Sequence, residues 1–388
     1  MRRRILLTLL AGILSGFSVS FFLITLDLVV ELHQRHPGTL YSLPVIGALL
    51  GLIHRFYGKS GKTDTGLILE EIHSPTAALP LRFAPLVYLS TLFTQFAGGS
   101  AGREGAAVQI SASVCDQLSH RRSLDPAERK TLLISGVSAG FGAAIGAPFA
   151  GILFGFEVIR RHGLNIRSFL HVSTATMIAV LIARILPVNH LLLPHFGIAG
   201  ISSRPAALIT LALSPAVFAL LVRVFFAANH AFVSLLGRVP GNPVFRGFAG
   251  GTLLLLLFSW QPLDAYQGLG IEGLIESFHS AAAPSAPVLK LLLTALTLAA
   301  GFKGGEFVPL FFAGATAGSA LGGIAGIDPS VLAALGCVSV FGAAAKTPFT
   351  CMVLAVELFG IGIAPFAVTG ILLTSLLSGK KSLYTRSS

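Results

Sequence analysis

GVSAGFGAAIGAPFAGILFGFEV, Gly136–Val158, returns 200 residues later without a gap as GCVSVFGAAAKTPFTCMVLAVEL, Gly336–Leu358. Phe141, Gly142, Ala143, Ala144, Pro148, Phe149 and Glu157 recur as Phe341, Gly342, Ala343, Ala344, Pro348, Phe349 and Glu357. Two glycine-rich apolar stretches share residues by composition alone. A common frame of FGAA, then PF, then Glu needs duplication. Upstream, GREGA (Gly102–Ala106) lies at nearly the same offset from GEFVP (Gly305–Pro309). A slack of one or two residues leaves open whether Glu104 corresponds to Glu306 or to its neighbour. The chain is read as two homologous halves, about 60–190 and 245–385, after an N-terminal helix. Repeated halves with interrupted helices in matching positions are a transporter signature, with the ion site near the bilayer midplane where the halves meet.

Composition supports a membrane location. Of 388 residues, 54% are hydrophobic and 11% charged, and the mean hydropathy is +0.82. A soluble domain carries about 25% charged residues. Apolar runs such as Ile5–Val30, Phe169–Ile185 and Ala206–Phe226 reach the ~20 residues of a spanning helix, while Phe248–Trp260 and Leu291–Ala300 suggest partial spans. Such runs, without ten-residue alternation, exclude a β-barrel. The expectation is one all-α membrane domain over 1–388, with short, tilted and broken helices and no soluble regulatory domain.

The net charge of +11 does not signal nucleic acid. Basic residues sit in short joints: Arg2–Arg4, Lys59–Lys62, His120–Lys130, Arg160–Arg167, Arg238–Arg246 and Lys380–Arg386. That is the pattern of cytoplasmic loops, so both termini are expected inside. The first apolar run is too long for a signal peptide and lacks a small-residue cleavage pattern. Cys115, Cys337 and Cys351 read as packing residues rather than a disulfide or metal set.

GGSAGREGAAVQI (Gly98–Ile110) and KGGEFVP (Lys303–Pro309) both read as glycine segments feeding a helix N-terminus. Free N–H groups and the positive end of the dipole make such a terminus an anion site. Pro309 suits a first turn, where a missing N–H costs nothing. Carboxylates inside a membrane segment are expensive and are functional candidates by default. Glu104 can compete with a bound anion when ionised and carry a proton when neutral; the bland alternative is a cap paired with Arg103. Glu306 has the same two readings, the bland one a pair with Lys303. Glu157 and Glu357 end their apolar runs and read as structural helix-end groups.

Other readings fail on spacing. GKSGKT (Gly58–Thr63) lacks the glycine that G-x4-G-K-[ST] requires. The eleven histidines show no metal-binding pair, and no metal or cofactor is expected. Ser100 in GGSAG has no His/Asp partner set, so an intramembrane hydrolase is not expected.

With these motifs in place, the chain resembles the CLC family of chloride channels and proton-coupled anion antiporters. GREGA is similar to the family's G-K/R-E-G-P and GEFVP to its G-x-F-x-P. GAPFAGILFGFE and KTPFTCMVLAVE resemble the helices that follow these motifs, and GKKSLYTR resembles the segment that supplies the pore tyrosine. The departures select a branch. Ala106 replaces the motif proline, Val158 stands where chloride antiporters carry an internal glutamate, and Glu306 occupies a usually apolar position. These features look like the fluoride/proton antiporter branch, although that branch often has a threonine where Val308 stands.

The resemblance implies a homodimer with one pore per subunit in a bacterial plasma membrane, exporting fluoride in exchange for protons. It implies Glu104 as the gating and proton-transfer group and Glu306 as a second coupling carboxylate. It places the anion among Tyr384, Thr65, Gly105, Ala106, Phe307 and Val308, with Thr65 at the position of the family's central serine. A chloride/proton antiporter or passive anion channel of the same family is the alternative.

Overall fold

The computed structural model describes residues 2–57, 65–73, 79–120, 124–159, 166–191, 193–195, 205–239, 242–326 and 328–384. The basic joint at Lys59–Lys62, much of that at Arg160–Arg167, and the tail beyond Tyr384 lie outside them. The described residues form sixteen α-helices and no strand, only an isolated bridge between Gly102 and Gly305.

Numbered in chain order, the helices fall into two runs of eight. The first run comprises α1 (Arg2–Arg35), α2 (Leu43–Tyr57), α3 (Thr65–His73), α4 (Phe83–Phe96), α5 (Glu104–His120), α6 (Pro126–Ile145), α7 (Pro148–Glu157) and α8 (Ile166–Ile185). The second comprises α9 (Pro205–Gly237), α10 (Pro243–Phe258), α11 (Ile271–Glu276), α12 (Ala286–Ala299), α13 (Phe307–Ala325), α14 (Pro329–Ala345), α15 (Pro348–Phe359) and α16 (Ala364–Leu377). Packing follows the duplication. α1 packs on α4, α5, α6 and α8, as α9 packs on α12, α13, α14 and α16. α2 packs on its counterpart α10, and α7 on its counterpart α15. The architecture is an inverted repeat, and its recurrence takes in α1 and α9.

Among the described residues, five segments are long and apolar enough to cross a membrane: Arg2–Arg35, Pro37–Phe56, Ile166–Ile185, Pro205–Gly237 and Phe307–Ala325. Others are shorter; α7 has 10 residues and α12 has 14. At ~1.5 Å per residue these do not traverse a ~30 Å hydrocarbon layer. The large apolar side chains Phe17, Phe21, Leu213, Leu220, Leu256 and Leu376 are exposed, whereas Ser15, Ser20, Ser111 and Ser138 are buried. Small residues inside and bulky ones outside are the membrane pattern, because close helix packing rather than water exclusion drives association. Gly136 of α6 lies against α5 so closely that a Cβ there would stand 2.6 Å from the Ala112 Cα.

The duplicated frame dictates a helix break in each half. Asp125 and Asp328 cap α6 and α14, accepting from the amides of Glu128 and Ser330, and a proline follows each cap. Both helices end in the left-handed region, at Gly146 (φ 83°) and Lys346 (φ 57°). Lys346 is held there by Nζ donating to the Ser375 carbonyl and the Ser378 hydroxyl, both at 2.7 Å. Pro148 and Pro348 then open α7 and α15.

Glu157 and Glu357 are helix-end groups, but each serves the other half. Glu157 accepts from the amides of Phe349 (2.9 Å) and Thr350 (2.7 Å) and from the Thr350 hydroxyl (2.7 Å). Glu357 accepts from the amides of Phe149 (3.0 Å) and Ala150 (2.8 Å). A carboxylate at the end of one short helix thus caps the start of its counterpart, where orphan amides and the positive dipole end favour an anion. Charge-assisted bonds of this kind are worth about 1.5–3 kcal/mol. Glu157→Ala and Glu357→Ala are each expected to lower the thermal midpoint of the detergent-solubilised protein, and Glu157→Gln, which keeps an acceptor oxygen, to lower it less. Unchanged midpoints in both alanine variants would refute the capping role.

Candidate functional site

The site begins at the bridge between the two glycine segments. The Gly102 amide donates to the Gly305 carbonyl at 2.6 Å, and the Gly305 amide donates back to Gly102 at 2.8 Å. This antiparallel pair brings the N-termini of α5 and α13 together. The approach requires glycine, since a Cβ on Gly305 would stand 2.7 Å from the Gly105 nitrogen. The pair also fixes the register. Gly102 faces Gly305, so Arg103 corresponds to Glu306, Glu104 to Phe307, Gly105 to Val308 and Ala106 to Pro309. The two carboxylates are therefore not counterparts.

Glu104 is the first residue of α5 and is buried, 4% exposed. Its carboxylate accepts from the Arg103 amide at 3.2 Å, and Glu104 shares a cavity wall with Val308 in the first turn of α13. It thus stands beside the opposite helix N-terminus, where an anion is favoured. The Arg103 Nε stands 3.7 Å away, too far for a hydrogen bond. The Arg103 guanidinium is committed elsewhere. Nη1 donates to Asp27 at 2.8 Å and Nη2 to the Asn189 carbonyl at 2.9 Å. The Asn189 amide in turn donates to Asp27 at 3.1 Å. Asp27 of α1 is therefore the principal partner of this buried cation, and Glu104 is not locked to it.

Two small cavities share Glu104 and Phe307 as walls. The first also meets Gly105, Glu306 and Tyr384 and measures about 10 Å³, room for one water-sized occupant. Val108, Phe141 and Phe154 complete its wall. The Phe141 and Phe154 rings stack with centroids 3.9 Å apart, and Phe141 meets Phe307 edge-to-face at 5.6 Å. The Tyr384 ring stands edge-on to Phe154 at 5.9 Å. Its backbone is fixed to the end of α14, where the Leu383 amide donates to Ala344 and the Ser382 hydroxyl to Ala345. The Tyr384 hydroxyl donates to no protein acceptor among the described residues. The second cavity, about 20 Å³, lies on the Arg103 side of Glu104 and is walled in part by Val308, Phe311, Ile271 and Leu274.

The structure therefore brings together Glu104, Gly105, Glu306, Phe307 and Tyr384 around one space. Val308 lines the second cavity. Ala106 is buried in the first turn of α5 and lines neither cavity. The Thr65 backbone opens α3, but its side chain lies outside the described residues. Sequence reading missed the aromatic walls and the Arg103–Asp27 anchor. Phe141 recurs as Phe341 in the duplicated frame, and that recurrence was a usable signal. Asp27, in a long apolar helix, was another.

Residues 45–379 match the family model described as voltage gated chloride channel. The chain belongs to the CLC family. A protein of Pseudomonas syringae pv. tomato named chloride/fluoride channel protein is 34% identical over 383 residues, covering 97% of this chain and 84% of its own. A Citrobacter koseri protein named H(+)/Cl(-) exchange transporter ClcA is 28% identical over 384 residues, covering 88% of this chain and 77% of its own. Among solved structures, a CLC-type fluoride/proton antiporter superposes with a TM-score of 0.90 at 29% identity, covering 98% of this chain and 96% of that one. A slow cyanobacterial Cl⁻/H⁺ antiporter shares the CLC fold with a TM-score of 0.79 at 17% identity.

A buried guanidinium whose carboxylate partner is removed loses a charge-assisted bond worth about 1.5–3 kcal/mol. Asp27→Ala is expected to lower the thermal midpoint accordingly and to slow anion flux by letting Arg103 turn toward Glu104. Wild-type flux and stability in this variant would show that Asp27 does not hold Arg103.

Proposed function

We propose that this CLC protein exports fluoride in exchange for protons. The observation that carries the reading is one narrow space walled by two carboxyl-bearing residues, Glu104 and Glu306, together with Tyr384, where two helix N-termini meet.

The chemistry follows from the charges. The α5 and α13 termini attract an anion without a full positive charge, so a bound ion can also leave. Ionised, the Glu104 carboxylate stands beside the α13 terminus and excludes the anion. Protonated, it no longer competes and can withdraw with its proton as the anion moves in. Glu306 at the head of α13 stands beside the same path. A protonated carboxyl there donates a hydrogen bond to a small, strongly hydrated ion such as fluoride, and an ionised one repels it. Tyr384 offers a hydroxyl donor from another wall. Backbone amides of Gly105, Ala106, Phe307 and Val308 lie in the first turns of the two helices and supply the remaining donors. The reading is supported by the names of two relatives, one called a chloride/fluoride channel protein and one a fluoride/proton antiporter. It gives Glu306 a role that a chloride carrier does not need.

The test is efflux from liposomes containing the purified protein, followed with fluoride- and chloride-selective electrodes with and without a proton gradient. Fluoride efflux faster than chloride efflux, with protons driven uphill, is expected. Comparable chloride flux, or fluoride flux that moves no protons, would instead make the protein a chloride/proton antiporter or a passive channel. In Glu104→Gln, uphill proton movement is expected to disappear while some anion flux persists. Glu306→Ala is expected to lower fluoride turnover about tenfold, the loss of one strong hydrogen bond in the path. Unchanged turnover in that variant would remove Glu306 from the mechanism.

A further inference from the structure

A cavity of about 90 Å³ lies away from the ion path, where α1, α6 and α8 pack on one another. Each helix contributes residues of its first turn: Arg4 from α1, Ala127 and Glu128 from α6, Arg167 and Ser168 from α8. The first turns of three helices therefore border one space, where their dipoles favour negative charge, although at α6 the Asp125 carboxylate already takes the Glu128 amide. Two arginines add full charges. Arg4 uses Nε to hold Glu128 at 2.8 Å, which answers the charge of the only carboxylate on the wall. Arg167 has no hydrogen-bond or ion-pair partner among the described residues. His171 binds the Thr8 hydroxyl through Nδ1 at 2.7 Å, so its Nε2 remains available toward the cavity.

The surroundings suit an amphipathic ligand. Leu7 and Leu132 form an apolar floor, and the outer faces of α1 and α8 beside the cavity expose Ile5, Leu6, Leu9, Ile166, Phe169 and Leu170. A positively charged hollow next to an apolar belt, at the ends of membrane helices, matches the depth of lipid headgroups. We propose that this cavity binds a phosphate group, either of an anionic phospholipid whose acyl chains lie along α1 and α8 or of free phosphate.

The test uses the full chain. The protein is reconstituted into nanodiscs of equal dioleoylphosphatidylglycerol and dioleoylphosphatidylcholine, extracted in mild detergent, and the retained lipid is counted by native mass spectrometry. In parallel, its thermal midpoint is followed against inorganic phosphate. Retention of phosphatidylglycerol over phosphatidylcholine, about fivefold weaker in Arg4→Gln and in Arg167→Gln, supports the lipid form; ~1 kcal/mol per arginine gives that factor. Arg167→Lys, which keeps the charge, should retain the lipid. A midpoint raised by inorganic phosphate in the wild type and not in Arg167→Gln supports the free-phosphate form. Equal retention of both lipids with no phosphate shift would overturn the proposal. So would a loss as large in Arg55→Gln, which removes an exposed charge on α2 outside the cavity.

Discussion

Two hydrogen bonds between Gly102 and Gly305 hold the centre of this molecule. There the duplicated halves exchange backbone partners through non-helical chain, and the Gly268 amide, donating to the Gly98 carbonyl at 3.1 Å, adds a third such bond nearby. Everything else about the site depends on that contact. It sets the two glycine segments face to face, aims the first turns of α5 and α13 at a common space, and puts Glu104 and Phe307 on the walls of the same two cavities. Irregular backbone at this depth is tolerated only when it is enclosed by protein, and the helices packed around α5 and α13 supply that enclosure.

Duplication makes the enclosure symmetric and the site asymmetric. The packing partners of α1 recur for α9, and the caps at Asp125 and Asp328 match. The same backbone position nonetheless carries Arg103 in one half and Glu306 in the other. Arg103 is tied to Asp27 and lines the second cavity, while Glu306 lines the first, which Glu104 also borders. One scaffold thus presents an anchored cation on one strand of the bridge and a carboxyl group on the other. Divergence between the halves supplies this inequality without disturbing the packing.

Much of this was legible in the residues. The FGAA and PF frame, the glycine segments before Glu104 and Glu306, and the partial spans all follow from local chemistry that the structure retains. The register of the two glycine motifs was not legible, for a physical reason. α6 has 20 residues and α14 has 17, so an alignment anchored on the downstream frame runs out of step upstream by nearly one helical turn. Phe154 and Val108 escaped notice because an apolar side chain on a cavity wall looks, in sequence, like any core residue. The partner of Glu157 was hidden by distance along the chain, since no local pattern points from residue 157 to residue 350.

That distance bears on how the protein is made. The Glu157 carboxylate finds its amides 192 and 193 residues further along the chain. When the ribosome has finished the first eight helices, α7 already carries its acid, while the amides it will bind have not been synthesised. The opening amides of α7 wait equally for Glu357. Two short helices, each unable to reach across the lipid, must stay provisionally placed until the last segments insert. The locking of the centre is therefore late in biogenesis, and a chain truncated before α15 leaves the Glu157 carboxylate and the Phe149 and Ala150 amides without the partners they have in the full chain.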